Sequence, residues 1–171
     1  MPYEQALLDK IGGSPVVKWE GEVFRHMLGD WPPERENVRG ARWNPPQVAA
    51  IYASLERDVA LAEAQYYIDL QPVPPQSRRV LYRVSVRLSK VVDLRKLDEL
   101  RRYGISAADL GTLEHQKCQP VGGAIAHLGF DGLLVPSARA KGANLVIYPS
   151  GQDASYRFEK VDYEVIAPSS L

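Results

Sequence analysis

The chain's 171 residues, 45% of them hydrophobic and 25% charged, are enough for one domain with an ordinary buried core over 1–171. Its 21 basic and 21 acidic residues cancel, which argues against the broad positive footprint of a nucleic-acid binder. One cysteine, Cys118, and three histidines at unrelated spacings, His26, His115 and His127, exclude an internal disulfide and leave no metal signature.

In chain order, Met1 to Lys10 reads as a short helix carrying Ala6, Leu7 and Leu8, stopped by Gly12-Gly13-Ser14. Pro15 to Leu28 alternates loosely and predicts a strand with Phe24 and Arg25 near its middle. Asp30 to Arg39, proline-rich and charged, is a surface loop. The densest stretch follows, Gly40 to Tyr67. Asn44-Pro45-Pro46-Gln47 cannot continue a helix, because each proline lacks an N–H and biases the preceding residue toward extended geometry. Val48 to Ala53 is a short apolar run containing Tyr52, and it predicts a buried strand. Ser54, with Glu56 and Asp58 behind it, reads as the N-cap of a helix from about Leu55 to Leu70. Leu55, Val59, Ala62, Tyr66 and Leu70 form its buried stripe.

Glu63 lies four residues after Val59 and four before Tyr67, at the margin of that stripe. A carboxylate there is costly unless it has a partner or a task. Two readings stay open: a boundary glutamate that reaches water or pairs with Arg25 or Arg42, or a functional acid.

Gln71 to Ser77 is a second proline-rich connection. Beyond it, Val80, Tyr82, Val84, Val86 and Leu88 face one side of a strand and Arg83, Ser85 and Arg87 the other. Val91 to Leu94 predicts a short strand ending at Asp93. Leu97 to Tyr103 is helical up to Gly104, and Ser106 to Asp109 starts another helix. Gln119 to Leu128 predicts a helix with Pro120 in its first turn and Gly129 after its end. Gly132 to Pro136 and Asn144 to Tyr148 are short apolar strands around a polar loop. Ser155 to Ile166 supplies a last strand before a frayed tail, APSSL. Strands with scattered helices and no βαβ rhythm point to the α+β class. No apolar run reaches bilayer-spanning length and the N-terminus lacks a signal peptide's apolar core, so a cytoplasmic location is expected.

No phosphate-cradling glycine loop follows a strand, and no Ser-His-Asp order stands out. The lone Cys118 reads as inert. What remains is a set of polar residues at the edges of apolar segments: Arg25, Arg42, Tyr52, Glu63, Ser137 and Asn144.

Four phrases in order, FRH (24–26), GARWNPPQ (40–47), IYASLERDVALAE (51–63) and FDGLLVPSARAKGANLVIY (130–148), together resemble the RES domain, named for its arginine, glutamate and serine. The likeness spans about Val23 to Tyr148, with Ala41 standing where a second glycine is common. It implies a fold similar to ADP-ribosyltransferases, a split β-sandwich with flanking helices. It also implies a toxin of a bacterial toxin–antitoxin pair that consumes NAD as substrate, with no prosthetic group or metal, and an Xre-type helix-turn-helix antitoxin as partner. Matched residue by residue, the family's arginines fall on Arg25 and Arg42, its tyrosine on Tyr52, its glutamate on Glu63 and its serine on Ser137.

On that resemblance Glu63, Arg42 and Tyr52 are catalytic, and Arg25, Arg42, Tyr52 and Ser137 bind NAD. Arg42 with Arg25 would hold the pyrophosphate, and the Tyr52 ring would face the nicotinamide. Ser137 would hydrogen-bond near the phosphates or the nicotinamide ribose. Trp43 and Asn144 read as scaffold. The acceptor stays open among water, phosphate and a protein side chain, and so does a catalytically silent module that only binds a nucleotide or a partner. Exposed strand edges add the expectation of a homodimer or a larger complex.

Overall fold

Among the described residues, alternating stretches and short apolar runs build six strands: β1 (Val16–Leu28), β2 (Ile51–Ser54), β3 (Arg79–Asp93), β4 (Gly132–Pro136), β5 (Ala143–Ile147) and β6 (Arg157–Ala167). Five helices flank them: α1 (Gln5–Gly12), α2 (Arg57–Asp69), α3 (Leu97–Arg101), α4 (Ala107–Leu110) and α5 (Cys118–His127). This is a computed structural model that describes residues 3–70 and 78–167. The expected connection at 71–77 and the tail beyond residue 167 lie outside the described residues. No helix among the described residues is long and apolar enough to cross a membrane.

The strand order is β1-β2-β5-β4-β3-β6, and β1 also pairs with β3. The first five strands therefore close into a barrel, and β6 hangs on the outside of β3. The mixed α+β class stands; where the resemblance implies a split sandwich, the strands form one sheet closed on itself. The closure is uneven. β1 and β3 pair along most of their length, but β1 meets β2 only at Phe24 opposite Ser54.

Alternation along the strands sorts the core into layers. Val23, Met27, Ile51, Ala53, Val84, Leu134, Leu145 and Ile147 belong to the cluster that fills the barrel. On its outer face Leu133, Val135 and Val146 pack against Leu100, Leu110 and Ile125 of the helices. A smaller cluster seats Ala60 and Ala64 of α2 on Leu81 and Phe24.

Three expectations need correction. The helix α2 starts at Arg57, with Glu56 at its N-cap and no side-chain capping bond. Ser54 stays in β2 because its hydroxyl donates to Asn144 Oδ1, directly opposite on β5, at 2.9 Å. The buried stripe of α2 is Val59, Ala60 and Ala64, and Leu70 is 50% exposed; two alanines bring the helix close to the sheet, which turns the larger residues outward. Finally, Val91 and Val92 continue β3 rather than forming a strand of their own. The buried Asp131 carboxylate accepts from Ser89 N, Ser89 Oγ and Lys90 N, which satisfies the backbone where β3 departs from regular pairing with β1.

Candidate functional site

Past the single Phe24–Ser54 pair, β1 and β2 part, and a cleft of about 720 Å³ opens along the seam. That volume suits a nucleotide-sized ligand. Arg25, Arg42, Tyr52, Glu63 and Asn144 line it, and Ser137 stands behind Glu63 through a hydrogen bond. The residues that the motifs singled out thus meet in one place, from β1, the 36–50 loop, β2, α2, the β4–β5 turn and β5.

Glu63 is positioned, not free. Its Oε1 accepts from Ser137 Oγ at 2.7 Å and from Asn144 Nδ2 at 3.0 Å. Asn144 is itself fixed by Ser54, and Ser137 Oγ accepts from the backbone N–H groups of Arg139 and Ala140. Oε2 takes no hydrogen bond among the described residues, so one carboxylate oxygen is anchored and the other is left for a ligand. Among the described residues no arginine pairs with Glu63, and the structural ion pair with Arg25 or Arg42 does not form. Asn144, expected as scaffold, belongs to the site. Its partnership with Ser54, directly opposite on β2, joins positions 90 residues apart and left no local signal in the sequence.

Tyr52 serves the cleft through its ring. Its hydroxyl accepts from Trp43 N at 2.9 Å and donates to Asn44 Oδ1 at 2.6 Å, and burial pushes the phenol above its ordinary value. Asn44, fully buried, also donates to Val48 O and Asn37 O, and Tyr148 Oη donates to Trp43 O. This network pins the 36–50 loop to the barrel and so fixes Arg42.

The two arginines differ. Arg25, 8% exposed, donates from Nε, Nη1 and Nη2 to the carbonyls of Pro33, Tyr52 and Arg35. It clasps the segment at Pro33–Arg35 to β2 across the open seam, and only its remaining N–H groups are available to a ligand. Arg42 is less buried and donates to Asp109 O at 3.0 Å and Thr112 O at 2.7 Å. Cys118 lies near Arg42, yet burial pushes its thiol up to about 11, which keeps it protonated and inert.

Other residues complete the walls. Arg139 stacks on the Tyr66 ring, 3.3 Å from its centroid. Tyr67 lies 5.9 Å from the His26 ring, and Arg79 Nη1 donates to His26 Nδ1 at 2.9 Å. Sequence reasoning passed over this group because its members stand on three different elements with no local motif. Burial, then the nearby Arg79 and Arg25 charges, press His26 down to about 3 from an ordinary 6.5.

A pH dependence follows. In the fold His26 stays neutral, while the unfolded chain takes up a proton below about 6.5. Its contribution to stability is therefore present above that pH and lost as pH falls. The Tm of the wild type is expected to fall between pH 6.5 and 5, and His26→Gln to flatten that slope; equal slopes in the two proteins would refute the assignment.

Six arginines line the cleft (25, 35, 39, 42, 79 and 139) against two acids, Glu36 and Glu63. None of the six takes part in an ion pair among the described residues, where the pairs lie elsewhere on the surface. A chain of zero formal charge thus carries a cationic cleft around one anchored carboxylate.

The sequence model of the family described as "RES domain" matches residues 17–167. No curated protein sequence matches the chain. Among solved structures, a chain of the M. tuberculosis MbcT–MbcA toxin–antitoxin complex is similar, with 22% identity and a TM-score of 0.85. The likeness covers 97% of this chain and 94% of that one, and at that identity it shows a shared fold.

Proposed function

The chain belongs to the RES domain family, and on that premise we propose that it is the toxin of a toxin–antitoxin pair that degrades NAD at the nicotinamide–ribose bond. The observation that carries this reading is the cleft itself, a surplus of unpaired guanidinium groups around a glutamate held by Ser137 and Asn144. Guanidinium forks suit phosphate oxygens, and a fixed carboxylate suits the positive charge that develops when a glycosidic C–N bond breaks.

In the proposed reaction Arg42 turns from the Asp109 and Thr112 carbonyls toward the pyrophosphate, and the Tyr52 ring faces the nicotinamide. Arg25 contributes chiefly by holding the segment at Pro33–Arg35 to β2. Glu63 Oε2 faces the nicotinamide ribose, accepts a hydrogen bond from a ribose hydroxyl and stabilises the oxocarbenium-like transition state. The C1′–N bond breaks, nicotinamide leaves with the bonding pair, and the acceptor's oxygen or nitrogen adds to C1′ while its proton is lost. The ADP-ribosyltransferase kinship belongs to this proposal, with the weakly closed β1–β2 seam as the counterpart of the split. The proposed inhibitor is an Xre-type antitoxin, and the proposed site of action is the cytoplasm, where such a toxin meets the NAD pool.

Incubating the purified chain with NAD, with and without inorganic phosphate or protein acceptors, and resolving products by mass spectrometry tests the reading. ADP-ribose, its 1″-phosphate or a modified protein would each identify an acceptor; intact NAD under every condition would refute cleavage. Ser137→Ala and Asn144→Ala each remove one anchor of Glu63. Each is expected to lower kcat by about tenfold with a smaller change in KM, as loss of a hydrogen bond to a charged group of about 1.5 kcal/mol implies. Unchanged kcat in the double variant would show that the anchors are structural only.

A further inference from the structure

Arg79, at the start of β3, is 6% exposed and lines the cleft. It donates from Nη1 to His26 Nδ1; among the described residues it makes no other hydrogen bond and no ion pair. Because that ring nitrogen accepts, the partner is a neutral imidazole that supplies no counter-charge. A guanidinium withdrawn from water without a carboxylate is costly. Arg25, equally buried, meets that cost with three carbonyls. Arg79 has no such set among the described residues, and its Nε and Nη2, which still reach solvent, are free to donate to a ligand.

The charge balance of the cleft points the same way. Its six arginines and two acids leave more positive charge than the pyrophosphate of a dinucleotide neutralises. His26, fixed between Arg79 and the Tyr67 ring, holds the guanidinium in one orientation. An oxyanion with several acceptor atoms, a phosphate group above all, matches a preset fork of this kind.

We propose that Arg79, seated by His26, is a second anion subsite of the cleft that takes a phosphate group, either as the free ion or as a phosphomonoester on the nucleotide. This rests on the reading of the cleft as a nucleotide site, but it needs no turnover. The two can therefore fail separately: phosphate can bind at Arg79 in a protein that leaves NAD intact, and NAD can be cleaved with Arg79 idle.

The test is titration calorimetry with inorganic phosphate, NAD and NADP in the Glu63→Gln background, comparing Arg79 with Arg79→Met. Cooperative melting confirms that each protein is folded, and Arg79→Lys, which keeps the charge but loses the fork, gives a second reading. If the free ion is the ligand, phosphate binding weakens about tenfold or more in Arg79→Met and by a smaller factor in Arg79→Lys. If the group is carried by the nucleotide, NADP binds about tenfold tighter than NAD and the preference disappears in Arg79→Met. Phosphate and NADP binding that is unchanged in both Arg79 variants would overturn the subsite, as would a parent protein that neither binds phosphate nor prefers NADP to NAD.

Discussion

Replacing Glu63 with glutamine is expected to cut NAD turnover by roughly 10²–10³-fold, the usual effect of removing a group aimed at transition-state charge. The substitution is nearly isosteric, and an amide oxygen can still accept from Ser137 and Asn144, which meet Oε1 at 2.7 and 3.0 Å. Folding and ground-state binding should therefore change little. The separation matters: KM near the wild-type value with a collapsed kcat marks an interaction made in the transition state. Growth arrest on expression should vanish with the turnover. Wild-type kcat in Glu63→Gln would remove the carboxylate from the mechanism, and loss of cooperative melting would reassign it to the fold.

The second large effect lies at a glycine outside the cleft. Gly122, in the first half of α5, packs so closely on the 36–50 loop that a Cβ there would lie 1.9 Å from Trp43 O and 2.8 Å from Tyr148 Oη. Those two atoms are joined by the hydrogen bond that pins the loop. In Gly122→Ala the loop must lift away from the helix, and its neighbour Arg42 must move with it. Overpacking of this kind costs about 2–3 kcal/mol, or roughly 5–10 °C in Tm for a chain of this size, and turnover should fall as well. Gly12→Ala is the control, since nothing lies within 4 Å of its Cβ; it should melt at or slightly above the wild-type temperature. A wild-type Tm in Gly122→Ala would show that the loop does not depend on this contact.

Much of the architecture could be read from local pattern. The alternation of Val80 to Leu88 predicted a strand face that is buried residue by residue, and Ser106 with Asp109 forms the capping box that their spacing predicts. The break expected after Leu88 was wrong because its remedy is distant: Asp131, 42 residues from Ser89, satisfies that backbone. Ser54 looked like a helix cap because the local sequence offers one, but its partner is Asn144, 90 residues away. Barrel closure was not legible, since it depends on which strands meet rather than on what each strand is.

The site divides in the same way. Motif positions brought Arg25, Arg42, Tyr52, Glu63 and Ser137 together, yet the part played by each comes from its partners in space. Arg25 is a clasp on three carbonyls, and Ser137 holds Glu63. Net charge concealed the cleft's character. Arginines such as Arg57, Arg83, Arg87 and Arg157 pair with Glu20, Glu22, Asp162 and Glu164 of the strands, while those lining the cleft have no carboxylate partner among the described residues. A formal charge of zero averages over that segregation.

The most direct measurement is a crystal structure of Glu63→Gln grown with NAD. The account predicts an intact dinucleotide along the β1–β2 seam, its nicotinamide against Tyr52, its pyrophosphate on Arg42 and its ribose C1′ beside the residue-63 amide. A dinucleotide bound elsewhere, or one whose nicotinamide ribose lies out of reach of residue 63, would contradict it.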